Sequence, residues 1–421
     1  MASFERTTLG NGTRVLTAPM SHAQSVSCFV MFSAGSRYER REESGIAHFA
    51  EHLFFKGTER RPTARDIATE IDSIGGEFNA FTGKEVSAYY VKCAAETRDI
   101  ALDVLVDMLR NSRFDAEEID REKGVIVEEM NMYADTPRSY IGNVWERHLY
   151  GDQPLGWDII GTEETVRAAT RETFLGYLDR WYRPERMIVG LGGRVGDDLV
   201  ERLEELLGDI PGETTGTPPP VELPVTGSSV RIHTKQSDQA HLVIGARSHP
   251  HGHPDRYVLQ LLSTVLGGGM SSRLFTEVRE RRGLAYYVYA GASSYADAGT
   301  LAAQAGVDLS RIDEAVETIV EELRRVVIEP VPPEELEKAR SFAKGRFVLG
   351  LESPHATIMF GLRREALEGR AVEPEEILTG LDAVTAEDVQ RVAAEILGGE
   401  LRLAVIGPFD EPARFEKLLA A

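Results

Sequence analysis

Apolar positions recur along this chain with the spacings of both strands and helices. Uninterrupted apolar runs, SVSCFVMF and SAYYVKCAA among them, predict buried strands. Stretches over about Arg98 to Asn111 and Ala116 to Tyr133 have apolar residues three and four apart, which predicts helices, as does TARDIATEIDSI, closed by Gly75 and Gly76. Strands and helices therefore mix within each part of the chain.

The predicted elements occur twice in one order: strands, two helices, two strands, a run of helices, a strand and a closing helix. Between the two copies lies Gly212 to Thr226, GETTGTPPPVELPVT, whose Pro, Gly and Thr content predicts an extended linker. We therefore predict an α+β fold with two homologous domains, residues 1–211 and 227–421, joined by residues 212–226. Each should pack a mostly antiparallel sheet against helices.

The excess of acidic residues limits which kinds of molecule the protein is expected to bind. The 68 acidic and 47 basic residues give a formal charge of -21, which repels nucleic acid and anionic membranes, so neither is expected to bind. The N-terminal sequence has no signal-peptide pattern and no stretch is apolar enough to span a bilayer, so we expect a cytoplasmic protein. Cys28 and Cys93 lie in apolar runs, as packing thiols would.

A candidate metal site lies in SGIAHFAEHLFFKGT. The segment has helical apolar spacing and Ser44 as a possible N-cap. On a helix, His48 and His52 project from one face, where they can bind one Zn²⁺. Glu51 lies beside them as a candidate general base for a metal-bound water. The alternative is a pair of surface histidines with a charged neighbour.

A third ligand is expected from the helix AEEIDREKGVIVEEMNMY. Its apolar stripe contains Ile119, Glu122, Ile126, Glu129 and Tyr133. A carboxylate on a buried stripe is unfavourable unless a cation compensates it, and zinc is such a cation. We predict Glu129 as the third ligand and Glu122 as a residue that orients the site. The alternative is salt bridges to Arg121 or Lys123.

The second copy of the repeat lacks this site. Aligning the two copies places Glu122 opposite Ala339 and Glu129 opposite Arg346, and the His48 to His52 segment opposite Gln260 to Thr264. None of these counterparts is a metal ligand. We therefore expect a different role for the second domain.

The HxxEH motif followed by Glu122 and Glu129 resembles the pitrilysin-type, or inverzincin, zinc metallopeptidases. The phrases LGGGMSSRLF and RERRGLAYYVY are most similar to the bacterial branch related to mitochondrial processing peptidase. The resemblance covers the whole chain. It implies two homologous α+β domains per chain, and a clam-shell dimer around a chamber for unfolded or short peptides.

The same resemblance suggests roles for two more residue pairs. Asn79 and Ala80, in GEFNAFT, match a strand at the cleft edge that binds the substrate backbone. Arg279 and Tyr286 match a pair that contacts the substrate and the tetrahedral intermediate, and both can donate hydrogen bonds to an oxyanion. Without the resemblance, these would be an ordinary hairpin strand, an exposed arginine and a strand aromatic.

Two other patterns are weaker. Three histidines, His249, His251 and His253, lie among Pro and Gly residues and are interpreted as a solvated loop rather than a metal cluster. Gly267 to Gly269 is followed by Met-Ser-Ser, so a nucleotide-binding P-loop is not supported.

The sequence thus predicts a zinc-dependent endopeptidase in which Glu51 activates the zinc-bound water and enclosed peptides are hydrolysed. Because one chain carries both HxxEH and the Arg279–Tyr286 pair, a homodimer is expected to be active. The alternatives are a catalytic subunit that needs a homologous partner chain, and a non-catalytic scaffold subunit of the same superfamily.

Overall fold

Among its described residues, the first half of the chain contributes six strands and eight α-helices. The computed structural model describes residues 3–212, 216–223 and 227–420. The strands are β1 Glu5–Thr8, β2 Arg14–Pro19, β3 Ser25–Phe32, β4 Glu77–Thr82, β5 Ser87–Ala94 and β6 Met187–Gly193. The helices are α1 Ile46–Phe54, α2 Ala64–Ser73, α3 Arg98–Asn111, α4 Ala116–Ala134, α5 Pro137–Tyr150, α6 Glu163–Ala168, α7 Arg171–Trp181 and α8 Leu199–Leu207.

The second half repeats this order. Its strands are β7 Val230–Thr234, β8 Gln239–Ser248, β9 Ala285–Ser294, β10 Gly299–Asp308 and β11 Arg402–Gly407. Its helices are α9 Arg256–Gly267, α10 Ile312–Ile328, α11 Pro333–Leu349, α12 Pro354–Glu368, α13 Pro374–Asp382, α14 Ala386–Leu397 and α15 Pro412–Leu419. The predicted helix at SSRLFTEVRER is wound as a π-helix over Phe275–Arg281.

The two sheets have equivalent strand orders. The first is β1-β2-β6-β3-β5-β4 and the second is β7-β11-β8-β10-β9. Each is antiparallel except for one parallel pair, β2 with β6 and β7 with β11. The predicted α+β class with a repeated, mostly antiparallel sheet is therefore confirmed.

Two compact units divide the chain. One contains Met1–Asn131, Trp157–Pro219 and Leu349–Glu375, and the other contains Met132–Gly156, Pro220–Val348 and Glu376–Ala421. Each unit thus includes a segment from the other half of the chain. The first unit includes α12 from the second half, and the second unit includes α5 from the first half. The predicted division at residues 212–226 stays a prediction, and residues 213–215 and 224–226 of that linker lie outside the described residues.

The first sheet has apolar helices on both faces. Alternate residues of β3, such as Cys28 and Val30, pack in a cluster with α1, α3 and α7, while Phe29 and Met31 pack in a cluster with α12. A strand buried on both faces needs apolar residues at every position, which explains the uninterrupted run. Cys28 and Cys93 are free and buried, as predicted.

Glycines in β6 allow α12 to approach this sheet closely. A Cβ on Gly192 would lie 2.4 Å from the Pro354 carbonyl oxygen, and one on Gly190 would lie 2.5 Å from the Leu362 side chain. The GLGG sequence of β6 is therefore a packing requirement.

Candidate active site

Helix α1 carries the HxxEH motif, and its N-terminus is fixed by an upstream carboxylate. The predicted cap, Ser44, is wrong: the helix begins after Gly45, which has a φ of 93°, and its own N-cap makes no side-chain hydrogen bond. Instead the Glu39 carboxylate accepts hydrogen bonds from the backbone N–H groups of Gly45, at 2.7 Å, and Ala47, at 2.8 Å. Burial raises the pKa of Glu39, and these two hydrogen bonds oppose the shift.

One face of α1 is anchored in the core and the other faces the site. Its buried residues are Ile46, Ala47, Phe49, Ala50, Leu53 and Phe54. His48, Glu51 and His52 are half-buried on the remaining face. Apolar spacing thus determines which way the motif points.

Three predicted ligands converge. Glu129 Oε2 lies 3.8 Å from His48 Nε2 and 3.5 Å from His52 Nε2. One ligand atom from each of the three residues falls within 4.8 Å of the others. In tetrahedral zinc coordination, with bonds of about 2.1 Å, ligand atoms are separated by about 3.4 Å. The cluster therefore fits Zn²⁺ after small side-chain adjustments.

The protonation state of His48 is also compatible with metal binding. Burial, and to a smaller extent the neighbouring His52, lower the pKa of His48 to about 4, so His48 is neutral near pH 7 and one ring nitrogen has a free lone pair with which to ligate. His48 Nδ1 is buried, and no described residue forms a hydrogen bond with it. The second nitrogen of a ligating histidine usually has a partner, so His48 departs from the common pattern.

Glu122 supports His52 from behind. Glu122 is 3% exposed, its Oε1 lies 2.9 Å from His52 Nδ1, and its Oε2 lies 2.7 Å from Lys56 Nζ. Burial alone would raise the pKa of Glu122, but hydrogen bonds from His52 and Lys56 outweigh burial and hold the pKa below its usual value. The alternative salt bridges are not formed, since Arg121 pairs with Glu118 and Lys123 with Asp120.

Glu51 is held outside the ligand cluster by β4. Its Oε2 accepts a hydrogen bond of 2.6 Å from the Thr82 hydroxyl. The pKa of Glu51 is raised above its usual value by burial, and the hydrogen bond from Thr82 and the nearby His52 oppose this shift without cancelling it. Sequence reasoning missed both Lys56 and Thr82, because neither has a motif-like spacing to the residues it contacts.

Asn79 and Ala80 lie on β4, the edge strand of the first sheet, with Asn79 exposed and Ala80 half-buried. The Ala80 N–H donates to Asn79 Oδ1 at 2.8 Å. Beyond β4 the sheet has no further strand among the described residues. The edge is thus open to pairing.

Arg279 and Tyr286 belong to the second unit and lie in irregular geometry. Arg279 is exposed in the π-helix, with its guanidinium carbon 4.8 Å from the centre of the Phe275 ring. In β9, Ala285 pairs with Val307 and Tyr287 pairs with Gly306, so Tyr286 is the extra residue of a β-bulge and is 72% exposed. Bulges and π-helices frequently occur next to functional sites. The sequence carried no signal for either distortion.

The second unit lacks the ligand set at the equivalent places. Ala339 and Arg346 lie on α11, and Gln260 to Thr264 lie on α9. The only other cluster of potential ligands among residues 3–212, 216–223 and 227–420 is His249, His253 and Asp255.

That second cluster is poorly arranged for a metal. The rings of His249 and His253 stack 3.7 Å apart at an angle of 7°, so their in-plane lone pairs do not converge. Arg391 donates hydrogen bonds to both oxygens of Asp255, at 2.9 and 2.7 Å. His249 is only 8% exposed, so the interpretation as a solvated loop is wrong for this residue.

Across the described parts of the chain, no helix combines the length and apolar composition needed to cross a membrane.

Residues 14–163 match the sequence model for insulinase, peptidase family M16, and residues 168–342 match the model for the peptidase M16 inactive domain.

Relatives and solved structures agree with these matches. The chain is 37% identical to Bacillus subtilis YmxG, which is named an uncharacterized zinc protease, over 96% of this chain and 98% of that protein. It is 36% identical to an uncharacterized zinc protease of Mycobacterium leprae over 96% of this chain and 92% of that protein. A crystal structure of a Helicobacter pylori protease has the same fold, with a TM-score of 0.88, 22% identity, and coverage of 97% of this chain and 100% of that one.

The structure of a peptidase M16 inactive domain from Pseudomonas fluorescens also has a TM-score of 0.88, at 18% identity, and covers 97% of this chain and 99% of that one. The resemblance to the pitrilysin-type zinc metallopeptidases is thereby confirmed. With both family models matched and relatives above 30% identity over nearly the whole chain, this chain belongs to peptidase family M16, and zinc is its cofactor.

Proposed function

We propose that this chain is a zinc-dependent endopeptidase of the HxxEH type, with Glu51 as its general base. The observation that carries the proposal is that the Glu51 carboxylate lies beside the three ligand residues but is not one of them. Ligand atoms of His48, His52 and Glu129 converge, while the adjacent Glu51 is hydrogen-bonded to Thr82. A carboxylate beside the ligands but outside their cluster can accept a proton from an attacking water.

The chain's own residues account for the proton transfers. Zinc, when bound by His48, His52 and Glu129, supplies a Lewis acid that polarises the scissile carbonyl and acidifies water. Glu51 takes one proton as the water oxygen bonds to the carbonyl carbon. The C–N bond then breaks, and Glu51 returns that proton to the leaving amine.

The open edge of β4 supports binding of the substrate as an added strand. Asn79 and Ala80 would pair with the backbone of an extended peptide, a mode that tolerates diverse sequences. The bond from the Ala80 N–H to Asn79 Oδ1 occupies that amide in the free chain, so a peptide carbonyl would replace Asn79 as its acceptor.

Arg279 and Tyr286 are proposed to donate hydrogen bonds to the substrate and to the oxyanion of the tetrahedral intermediate. Their exposure leaves both side chains free to meet a substrate. A homodimer that encloses peptides in a chamber, in the cytoplasm, stays a prediction. The two alternatives, a required partner chain and a non-catalytic scaffold, make different predictions in the same assay.

The test is cleavage of a mixed peptide library by the chain purified alone, with products identified by mass spectrometry, with and without a chelator. Glu51→Gln should abolish turnover while zinc stays bound, whereas His52→Ala or Glu129→Gln should lower the zinc content. Wild-type turnover by Glu51→Gln would overturn the assignment. A chain that binds zinc but cleaves only after a homologous chain is added would favour the partner alternative, and no cleavage in either case would favour the scaffold.

A further inference from the structure

We infer that Thr82 is a positioning residue that fixes the orientation of the Glu51 carboxylate. The inference rests on the proposed function, because it assigns Thr82 a role in a reaction in which Glu51 is the base. It concerns a residue outside the HxxEH motif and outside the ligand set.

The Thr82 hydroxyl has one proton and two acceptors within reach. Glu51 Oε2 lies 2.6 Å from Oγ1, whereas the Ala47 carbonyl oxygen lies 3.5 Å away, at the limit of a hydrogen bond. The shorter contact is to a carboxylate, and hydrogen bonds to charged acceptors are shorter and stronger than neutral ones. Thr82 therefore donates its proton to Glu51.

The backbone around Thr82 is fixed on two sides. Thr82 pairs with Ser87 at the end of the β4–β5 hairpin, and the Gly83 N–H donates to the Val86 carbonyl at 2.8 Å. The Gly83 carbonyl in turn accepts from the Ser36 N–H at 3.0 Å. The Thr82 hydroxyl thus has a defined position relative to α1. Because the side chain is β-branched, it has few alternative rotamers that would move the hydroxyl away.

The bond distinguishes the two oxygens of Glu51. With Oε2 occupied by the hydroxyl, Oε1 is left to accept a proton, and the carboxylate plane is held against rotation. No second side chain among the described residues donates a hydrogen bond to Glu51. Removing the Thr82 hydroxyl should therefore reduce the rate of proton transfer rather than substrate affinity.

The variants Thr82→Val and Thr82→Ser separate this role from packing. Valine keeps the shape and loses the donor, whereas serine keeps the donor. We expect Thr82→Val to lower kcat by about ten-fold or more with KM and zinc content unchanged, and Thr82→Ser to restore most of kcat. Thr97→Val is the matched control, since the Thr97 hydroxyl donates to the exposed carbonyl of Ala94.

A double-mutant cycle of Thr82→Val and Glu51→Ala, which removes the acceptor of the Thr82 hydroxyl, tests the contact without turnover. The midpoints of thermal unfolding of the zinc-loaded proteins should shift by less in the double variant than the sum of the single shifts. If Thr82→Val does not fold, Thr82→Ala takes its place in both experiments. Additive shifts, or an unchanged kcat in an active enzyme, would overturn the positioning role. A wild-type chain without activity but with a non-additive cycle would contradict the proposed function and leave the contact supported.

Discussion

The Nδ1 atom of His52 lies 2.9 Å from Oε1 of Glu122, on the side of the imidazole opposite the nitrogen that faces Glu129. For Nε2 to ligate a metal, Nδ1 must carry the proton, and the buried Glu122 carboxylate accepts it. Glu122 in turn contacts the Lys56 ammonium at 2.7 Å, which balances its charge. This chain of contacts fixes one ligand before any metal binds.

Glu122→Ala should therefore lower zinc affinity by roughly 10 to 100-fold, and Glu122→Gln by less, because its amide oxygen can still accept from His52. Competition with a chromogenic chelator measures the Kd. Glu118→Gln is a suitable control, since Glu118 lies on the same helix but pairs with Arg121 away from the ligands. Equal zinc affinities for Glu122→Ala and Glu118→Gln would show that Glu122 does not contribute to zinc binding.

Glu39 should stabilise the start of α1. Its carboxylate satisfies two N–H groups that the helix itself leaves without acceptors. Glu39→Ala should lower the free energy of unfolding by about 2 kcal/mol, because both N–H groups are then buried without an acceptor. Urea unfolding after zinc removal measures this loss. Glu39→Gln, which keeps one oxygen acceptor, should lose less, and the exposed neighbour substitution Glu42→Gln should change little.

These two residues illustrate what the sequence can predict. The α1 motif and the stripe bearing Glu122 and Glu129 follow a helical period, so their shared faces could be inferred before the structure. The contact of Glu39 with α1 depends on how the intervening 3₁₀ turn, Arg41–Glu43, folds the chain back. Thr82 reaches Glu51 only through the register of a strand hairpin. Such contacts have no fixed sequence spacing, which is why they were missed.

The Arg61 side chain makes stability sensitive to acid. Arg61 is buried and donates to Asp107 Oδ2 at 2.6 Å, to Asp103 at 2.7 Å and to Glu70. Burial would raise the pKa of Asp107, but hydrogen bonds from Asn111, Thr58 and Arg61 outweigh burial and lower it. A carboxyl with a lowered folded-state pKa stabilises the fold above its unfolded pKa of about 3.9, and this stabilisation is lost as the pH falls through the folded-state value.

Asp107→Asn should accordingly lower the free energy of unfolding by about 3 kcal/mol at neutral pH, as expected when one member of a buried ion pair is removed. The difference from wild type should shrink as the pH falls below about 4. Urea unfolding across that range measures it. A difference independent of pH would mean that Asp107 acts through packing alone.

Close packing of α12 on the first sheet predicts that Gly192→Ala is destabilising. The added Cβ would lie 2.4 Å from the Pro354 carbonyl oxygen, which is backbone and cannot rotate away. We expect a loss of about 2 kcal/mol in the free energy of unfolding and faster proteolysis within α12. Gly124→Ala, in helix α4 with no atom near the new Cβ, should instead stabilise the protein by up to about 1 kcal/mol. Equal stabilities for the two variants would contradict the packing argument.

The β-bulge at Tyr286 predicts a role for its hydroxyl. Because Tyr286 is the unpaired residue of the bulge and is 72% exposed, its hydroxyl contributes nothing to the core of the second unit. Tyr286→Phe should therefore leave the unfolding midpoint and zinc content unchanged. If the hydroxyl stabilises an oxyanion, kcat should fall by roughly 100-fold.

Tyr289 provides the comparison on the same strand, since it is also exposed and has ordinary pairing with Gln304. Tyr289→Phe should keep wild-type kcat, and steady-state cleavage of a fluorogenic peptide measures both variants. Equal kcat values for the two would remove Tyr286 from catalysis. A rise in KM alone for Tyr286→Phe would indicate that the bulge presents the tyrosine to the bound peptide and makes no stronger contact in the transition state.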